Sequence, residues 1–151
     1  FDATIIRTSW VYSVYKNNFL DTILKLGQKN DNLTIISDQI GSPTNAEDLA
    51  NVIVKIIHTK NFNSSKQGSE VFHYSNDGFC SWYDFAKEIG NFADLSCSIN
   101  PIFSKDYPQA AQRPKKVLLN KDKIKNFYSI ELISWKDSLR SCIKFLSSSS
   151  N

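Results

Sequence analysis

The segment DQIGSPTNAEDLANVIVKII, residues 38–57, constrains the fold more than any other stretch of the chain. Gly41 and Pro43 punctuate a loop. Thr44, followed three residues later by Glu47, then reads as a capping box: the hydroxyl accepts a free backbone N–H while the carboxylate reaches back. Leu49, Val52, Ile53, Ile56 and Ile57 recur at i, i+3, i+4, i+7 and i+8, one core-facing helical stripe. Short β-branched runs lie on both sides, LTIIS before the helix and EVFHYS after it. An apolar helix between strands is covered most simply by layering on a sheet, so an α/β fold is expected.

The rest of the chain keeps this alternation. ATIIRTSWVY reads as a strand, and NNFLDTILKLGQK as a helix with Phe19, Leu20, Ile23, Leu24 and Leu26 on one stripe. NFNSSKQGS is a polar surface loop, and NDG turns the chain after EVFHYS. SWYDFAKEIGNFA is expected to bury Trp82, Phe85, Ala86, Ile89 and Ala93. A strand follows near CSINPIF, and then a long irregular stretch, SKDYPQAAQRPKKVLLN. SWKDSLRSCIKFL aligns Trp135, Leu139, Cys142, Ile143 and Leu146 on a last helix, and SSSSN is a frayed tail. No repeat or low-complexity linker divides the sequence, so residues 1–151 are expected to form a single domain.

Composition sets outer limits. Apolar and charged fractions of 41% and 22% are ordinary for a globular chain of 151 residues, which is long enough to bury a core. The net charge of +3, from 18 basic and 15 acidic residues, suits a phosphate-bearing ligand without requiring one. Cys80, Cys97 and Cys142 are scattered, with no C-x-x-C and no Cys/His cluster. Zinc and a disulfide framework are therefore not expected, and a reducing, cytoplasmic setting is. No apolar run approaches a membrane span and no signal peptide opens the chain, so no membrane partner is expected. The chain starts at Phe1, contains no Met and opens directly on a strand-like run, which leads us to expect a piece of a longer protein.

Two Y-x-x-x-K spacings occur, Tyr12 with Lys16 and Tyr83 with Lys87. That spacing serves proton transfer when both residues lie on one helix and the ammonium lowers the phenol pKa. Tyr12 and Lys16 follow a strand, and Tyr83 and Lys87 make an ordinary exposed helical pair, so neither is expected to be catalytic. The five glycines nowhere form the Gly-rich turn that a dinucleotide needs. QRPKK is more informative. Arg113 can grip phosphate oxygens with a planar fork, Pro114 stiffens the backbone, and Lys115 and Lys116 add positive field. A solvated basic loop is the plainer alternative. His58, closing a helix, and His73, within a strand, are expected to be structural.

Taken together, IIRTSWVYS, NNFLDTILKL, DQIGSPTNAEDLA, FHYSNDGFCSWYDFAKEI, DYPQAAQRPKKVLLNKDKI and SWKDSLRSCI resemble the C-terminal half of the dTDP-4-dehydrorhamnose reductase family. These are extended short-chain dehydrogenase/reductases. The resemblance implies the last Rossmann strands and helices plus a small substrate-binding domain. It implies a parent that reduces the 4-keto group of dTDP-4-dehydro-L-rhamnose with NADPH or NADH. The Gly-rich motif and the catalytic Tyr/Lys pair would lie upstream, leaving this piece inactive alone and without catalytic residues of its own.

The same resemblance implies a set of binding residues. Thr8 and Ser9 would end the strand beside the nicotinamide, and Trp10 would pack against the sugar, an aromatic face suiting a pyranose ring. Asn18 would turn toward the nucleotide diphosphate, and Gln39 with the GSPT turn would line the same cleft. Arg113 would bind the diphosphate, agreeing with its phosphate-gripping chemistry. Glu47 matches an acidic position that some relatives use around a magnesium ion at a dimer contact, beside its capping role. A strand edge left open by the missing half implies possible pairing with a second copy.

Two other readings are a non-catalytic nucleotide-sugar-binding or regulatory relative and a small nucleic-acid-binding domain. The second is prompted by 13% aromatics and the positive charge, but no basic stripe forms, so no nucleic-acid partner is expected.

Overall fold

A computed structural model describes residues 3–15, 17–59, 68–107 and 113–148. Strand β1 (Thr4–Arg7) runs parallel to β6 (Glu70–His73), with Thr4 opposite Glu70 and Arg7 opposite His73. A longer parallel pair joins β3 (Asn32–Ile36) to β8 (Ser98–Ile102). The remaining strands have two residues each. β2 (Val11–Tyr12) runs parallel to β5 (Thr44–Asn45), while β4 (Ile40–Gly41) lies between antiparallel β7 (Cys80–Ser81) and parallel β9 (Lys116–Val117).

Among the described residues five helices cover these strands: α1 (Phe19–Gly27), α2 (Ala46–Ile57), α3 (Trp82–Phe92), α4 (Asp122–Tyr128) and α5 (Trp135–Ser148). Their apolar stripes meet in two clusters. The larger joins Leu20 and Ile23 of α1, Phe85 and Ile89 of α3, and Leu139 and Ile143 of α5. The smaller joins Val52 and Ile56 of α2, Phe72 of β6, and Ile124 and Tyr128 of α4. Between them the chain buries polar side chains, with Thr44, Asn45, Asn76 and Ser138 all nearly inaccessible. Such groups are tolerated because each is hydrogen-bonded.

Several expectations are corrected. The first strand does not run through to Tyr12; it stops at Arg7, and Trp10 turns the chain with φ 49° before β2. Thr44 does not cap α2. Its hydroxyl donates to the Ser9 carbonyl at 2.7 Å, and Asn45 takes the cap, its side-chain oxygen accepting the Glu47 N–H at 2.9 Å. The capping box sits instead at α3, between Ser81 and Asp84. Of the α2 stripe, Val52 and Ile56 are buried and Leu49 half-buried, whereas Ile53 and Ile57 are exposed.

The irregular stretch also contains a 3-10 turn (Ser104–Asp106) and β9, and α4 follows it unforeseen. Tyr12 is a buried strand residue, and Lys16 lies outside the described residues. The Lys87 ammonium lies 6.0 Å from the Tyr83 ring centroid, a pairing one turn apart on α3. Most of NFNSSKQGS, all of PQAAQ and the end of the serine tail lie outside the described residues as well.

Candidate functional site

The turn between β1 and β2 is held from one side by the loop following β4. The Ser9 hydroxyl donates to the Ser42 carbonyl at 3.1 Å, and the Thr8 hydroxyl to that of Thr44 at 3.1 Å. The Thr44 N–H donates to the Trp10 carbonyl at 3.1 Å. These bonds fix a non-glycine residue in the left-handed region, a conformation that costs on the order of 1 kcal/mol and persists where the surroundings over-determine it.

The Trp10 ring is held as firmly as its backbone. Trp82 stacks on one face, centroids 3.7 Å apart and planes 13° off parallel. A Cβ built on Gly41 would lie 2.4 Å from Cε2 of Trp10, 2.7 Å from Cζ2 and 2.8 Å from Nε1. A point nearest the ring-fusion atom and farther from both its neighbours lies above the ring face. On the Trp82 side such a point would meet Trp82 first, so Gly41 backs the opposite face. The face-on sugar contact expected of Trp10 is therefore not available in this arrangement. A half-buried indole edge is what it offers.

Gln39, next to β4, is 4% exposed. Across β4 run Lys115 and Lys116: the Ile40 N–H donates to the Lys115 carbonyl at 2.8 Å, and Ile40 stands opposite Lys116. Arg113 is exposed a few residues upstream of β9. The strand pairing thus brings Lys115 and Lys116 to the strand that carries Gly41, the backing of Trp10.

Asn18 is engaged locally. Its side chain caps α1, accepting the Asp21 N–H at 3.2 Å, and its amide donates to the Ser13 carbonyl at 3.1 Å. Glu47 is exposed near the start of α2, and no group of three metal-binding side chains occurs among the described residues.

Two residues of the site escaped sequence reasoning. Trp82 reads as one more core aromatic, although the S-x-x-D cap ahead of it was legible and fixes where its helix begins. Asp38 ties the loop after β3 to the loop after β8, accepting the Ser104 N–H and hydroxyl, each at 2.8 Å. Those bonds, the backbone one foremost, hold its carboxyl below the usual range, and Lys115 at 3.8 Å adds to the effect.

A depressed folded-state pKa means that the stabilisation is complete above about pH 4, the unfolded value, and is lost as pH falls through the folded value. We expect Asp38→Asn to be less stable than the natural chain at neutral pH, with the difference shrinking as the pH falls below 4. Urea midpoints measured across that range check it, and a pH-independent gap would remove Asp38 from this role.

The described architecture is that of the C-terminal portion of an extended short-chain dehydrogenase/reductase. Within that class the chain belongs to the RmlD substrate binding domain family, whose model matches residues 1–148. It is 36% identical over 141 residues to a dTDP-4-dehydrorhamnose reductase of Sinorhizobium fredii, covering 91% of this chain and 48% of that protein. It is 37% identical over 147 residues to the spore coat polysaccharide biosynthesis protein SpsK of Bacillus subtilis, covering 97% of this chain and 49% of that protein. Among solved structures, a dTDP-4-dehydrorhamnose reductase from Bacillus anthracis in complex with NADP superposes with a TM-score of 0.83 at 33% identity, over 94% of this chain and 48% of that one. The chain thus spans about half the length of the relatives it matches. No helix among the described residues is long and apolar enough to cross a membrane.

Proposed function

We propose that this chain is the substrate-side half of an NAD(P)H-dependent reductase that converts dTDP-4-dehydro-L-rhamnose to dTDP-L-rhamnose. The observation that carries the reading is the meeting, across β4, of a fixed tryptophan with a basic segment. A nucleotide sugar needs both: an aromatic edge beside the pyranose and cations at the diphosphate. The two-stranded sheet of β1 and β6 adds support. Parallel sheets are normally covered on both faces, yet Ile5 of β1 is 44% exposed. In our reading further Rossmann strands from an upstream half extend that sheet and bring NADPH or NADH with the proton-donating pair. A second copy pairs there only when the upstream half is missing. Free thiols and reduced nicotinamide make the cytoplasm its place of work.

In that assembly Thr8 and Ser9, which follow the end of β1, lie beside the nicotinamide, and Gln39 lines the sugar cleft. Arg113 holds the diphosphate, its fork matching two phosphate oxygens at once. Asn18 contributes through the backbone it caps, since its amide is engaged there. The test is NADPH oxidation by the full-length protein on addition of dTDP-4-dehydro-L-rhamnose. Binding of the nucleotide sugar without oxidation would mark a non-catalytic relative. Arg113→Ala in the full-length protein is expected to raise the KM for the nucleotide sugar by about tenfold or more, with the KM for NADPH little changed. An unaltered sugar KM would remove Arg113 from the diphosphate.

A further inference from the structure

We infer that Trp82 and Gly41 are positioning residues for sugar recognition: they clamp Trp10 from both faces and so fix which edge of its indole meets the pyranose. The inference rests on the nucleotide-sugar reading above. Neither residue need touch the ligand.

Three independent constraints converge on one ring. The Trp10 backbone is locked in a left-handed turn by the Thr44 N–H, with Ser9 tied alongside to Ser42. One ring face is backed by Gly41, where any Cβ would overlap the indole. The other face is covered by Trp82 in near-parallel contact. Trp82 is itself immobilised. It is the first residue of α3, behind the reciprocal Ser81–Asp84 cap, with Asp84 accepting the Ser81 N–H at 3.0 Å and the Asp84 N–H donating to the Ser81 hydroxyl at 3.0 Å. Ser81, which precedes Trp82, is paired with Ile40 in β4, the neighbour of Gly41, so both jaws of the clamp are anchored to one ladder. Phe19 of α1 then packs on Trp82, centroids 4.5 Å apart.

A ring held so tightly in a strained turn is pre-organised. Little side-chain freedom is left to lose on binding, which favours recognition of an oriented ligand over a merely apolar one. Loosening Trp82 should therefore weaken discrimination at the sugar and leave the nucleotide end alone.

The experiment uses the full-length protein and two ligands, dTDP-L-rhamnose and dTDP, with affinities measured by calorimetry. Trp82→Leu is expected to weaken the nucleotide sugar about fivefold to tenfold, the worth of an oriented aromatic contact, with dTDP affinity unchanged. Trp82→Phe should restore most of the loss, because an aromatic plane still backs Trp10. Gly41→Ala, which pushes the indole off its seat, should repeat the selective loss. Equal weakening of both ligands would indicate a general structural defect and overturn the inference, as would unchanged sugar affinity in Trp82→Leu. Failure of the natural protein to bind either ligand would instead sink the nucleotide-sugar reading itself.

Discussion

Replacing Asn76 with alanine is expected to destabilise the fold by about 3–5 kcal/mol, a large effect for a change of one amide. Asn76 is fully buried after β6, where the two core clusters meet. Its side-chain oxygen accepts the Asn45 N–H at 2.8 Å, holding the residue that caps α2. Its two amide hydrogens are shared among three oxygens: Asp48 at 2.6 Å, Ser138 at 2.8 Å and the Ile133 carbonyl at 3.2 Å. In the alanine variant Ser138 and Asp48 still bond to each other. The Asn45 N–H loses this partner inside the protein, which costs about 1–3 kcal/mol, and loss of the bond to the Asp48 carboxylate adds about 1.5–3 kcal/mol, while the Ile133 carbonyl keeps the Asp77 N–H. Asn76→Asp separates shape from hydrogen bonding, because it keeps the outline but sets a second carboxylate against Asp48. It should be at least as damaging at neutral pH. Urea denaturation of the variants gives the comparison, and a loss under 1 kcal/mol in the alanine variant would show that the network contributes little.

This junction also marks where the sequence stopped being readable. The helices of the larger cluster were legible because α1, α3 and α5 each carry several turns of regular apolar spacing. The two-residue strands β2, β4, β5, β7 and β9 have no period to detect, since alternation needs at least a few residues. Helix α4 spans seven residues and buries only Ile124 and Tyr128, a single i, i+4 pair too short to set a helical period apart from a loop.

At the start of α2, Thr44 and Asn45 are both good caps by residue type. What decides between them is tertiary: the Ser9 carbonyl takes the Thr44 hydroxyl, leaving the cap to Asn45. Ile53 and Ile57 belong to the apolar pattern of α2 but stay exposed in this chain. In the candidate site the residue type at Arg113 pointed to a phosphate, the family resemblance pointed to a sugar at Trp10, and Gly41 read only as a loop break. The left-handed turn at Trp10 and the covering of both its faces depend on contacts with segments far along the chain, and no local pattern encodes them.

Phe85→Ala should cost about 3–5 kcal/mol by a different mechanism, an emptied space in the larger cluster. Phe85 lies one turn into α3 and is fully buried. Its ring meets Tyr12 of β2 edge-on at 5.2 Å, Phe19 of α1 at 5.7 Å and Trp135 of α5 at 5.8 Å. Truncation removes transfer energy, dispersion contacts with three aromatic neighbours and the wedge between α1 and α5 at once. Phe85→Leu keeps part of the volume and should lose only about 1–2 kcal/mol. Because no polar group is orphaned, the Phe85→Ala loss should be nearly independent of pH, while that of Asn76→Asp should ease as its new carboxyl protonates in acid. Phe85 and Trp82 share Phe19 as a neighbour, so the cavity also relaxes the outer support of the Trp10 stack. The alanine variant, examined where it is still folded, should therefore bind the nucleotide sugar more weakly and dTDP unchanged, following Trp82→Leu in direction but with a smaller effect. Full stability in Phe85→Ala would mean that α1 and α5 close over the gap, and calorimetry would then find sugar affinity unaltered as well.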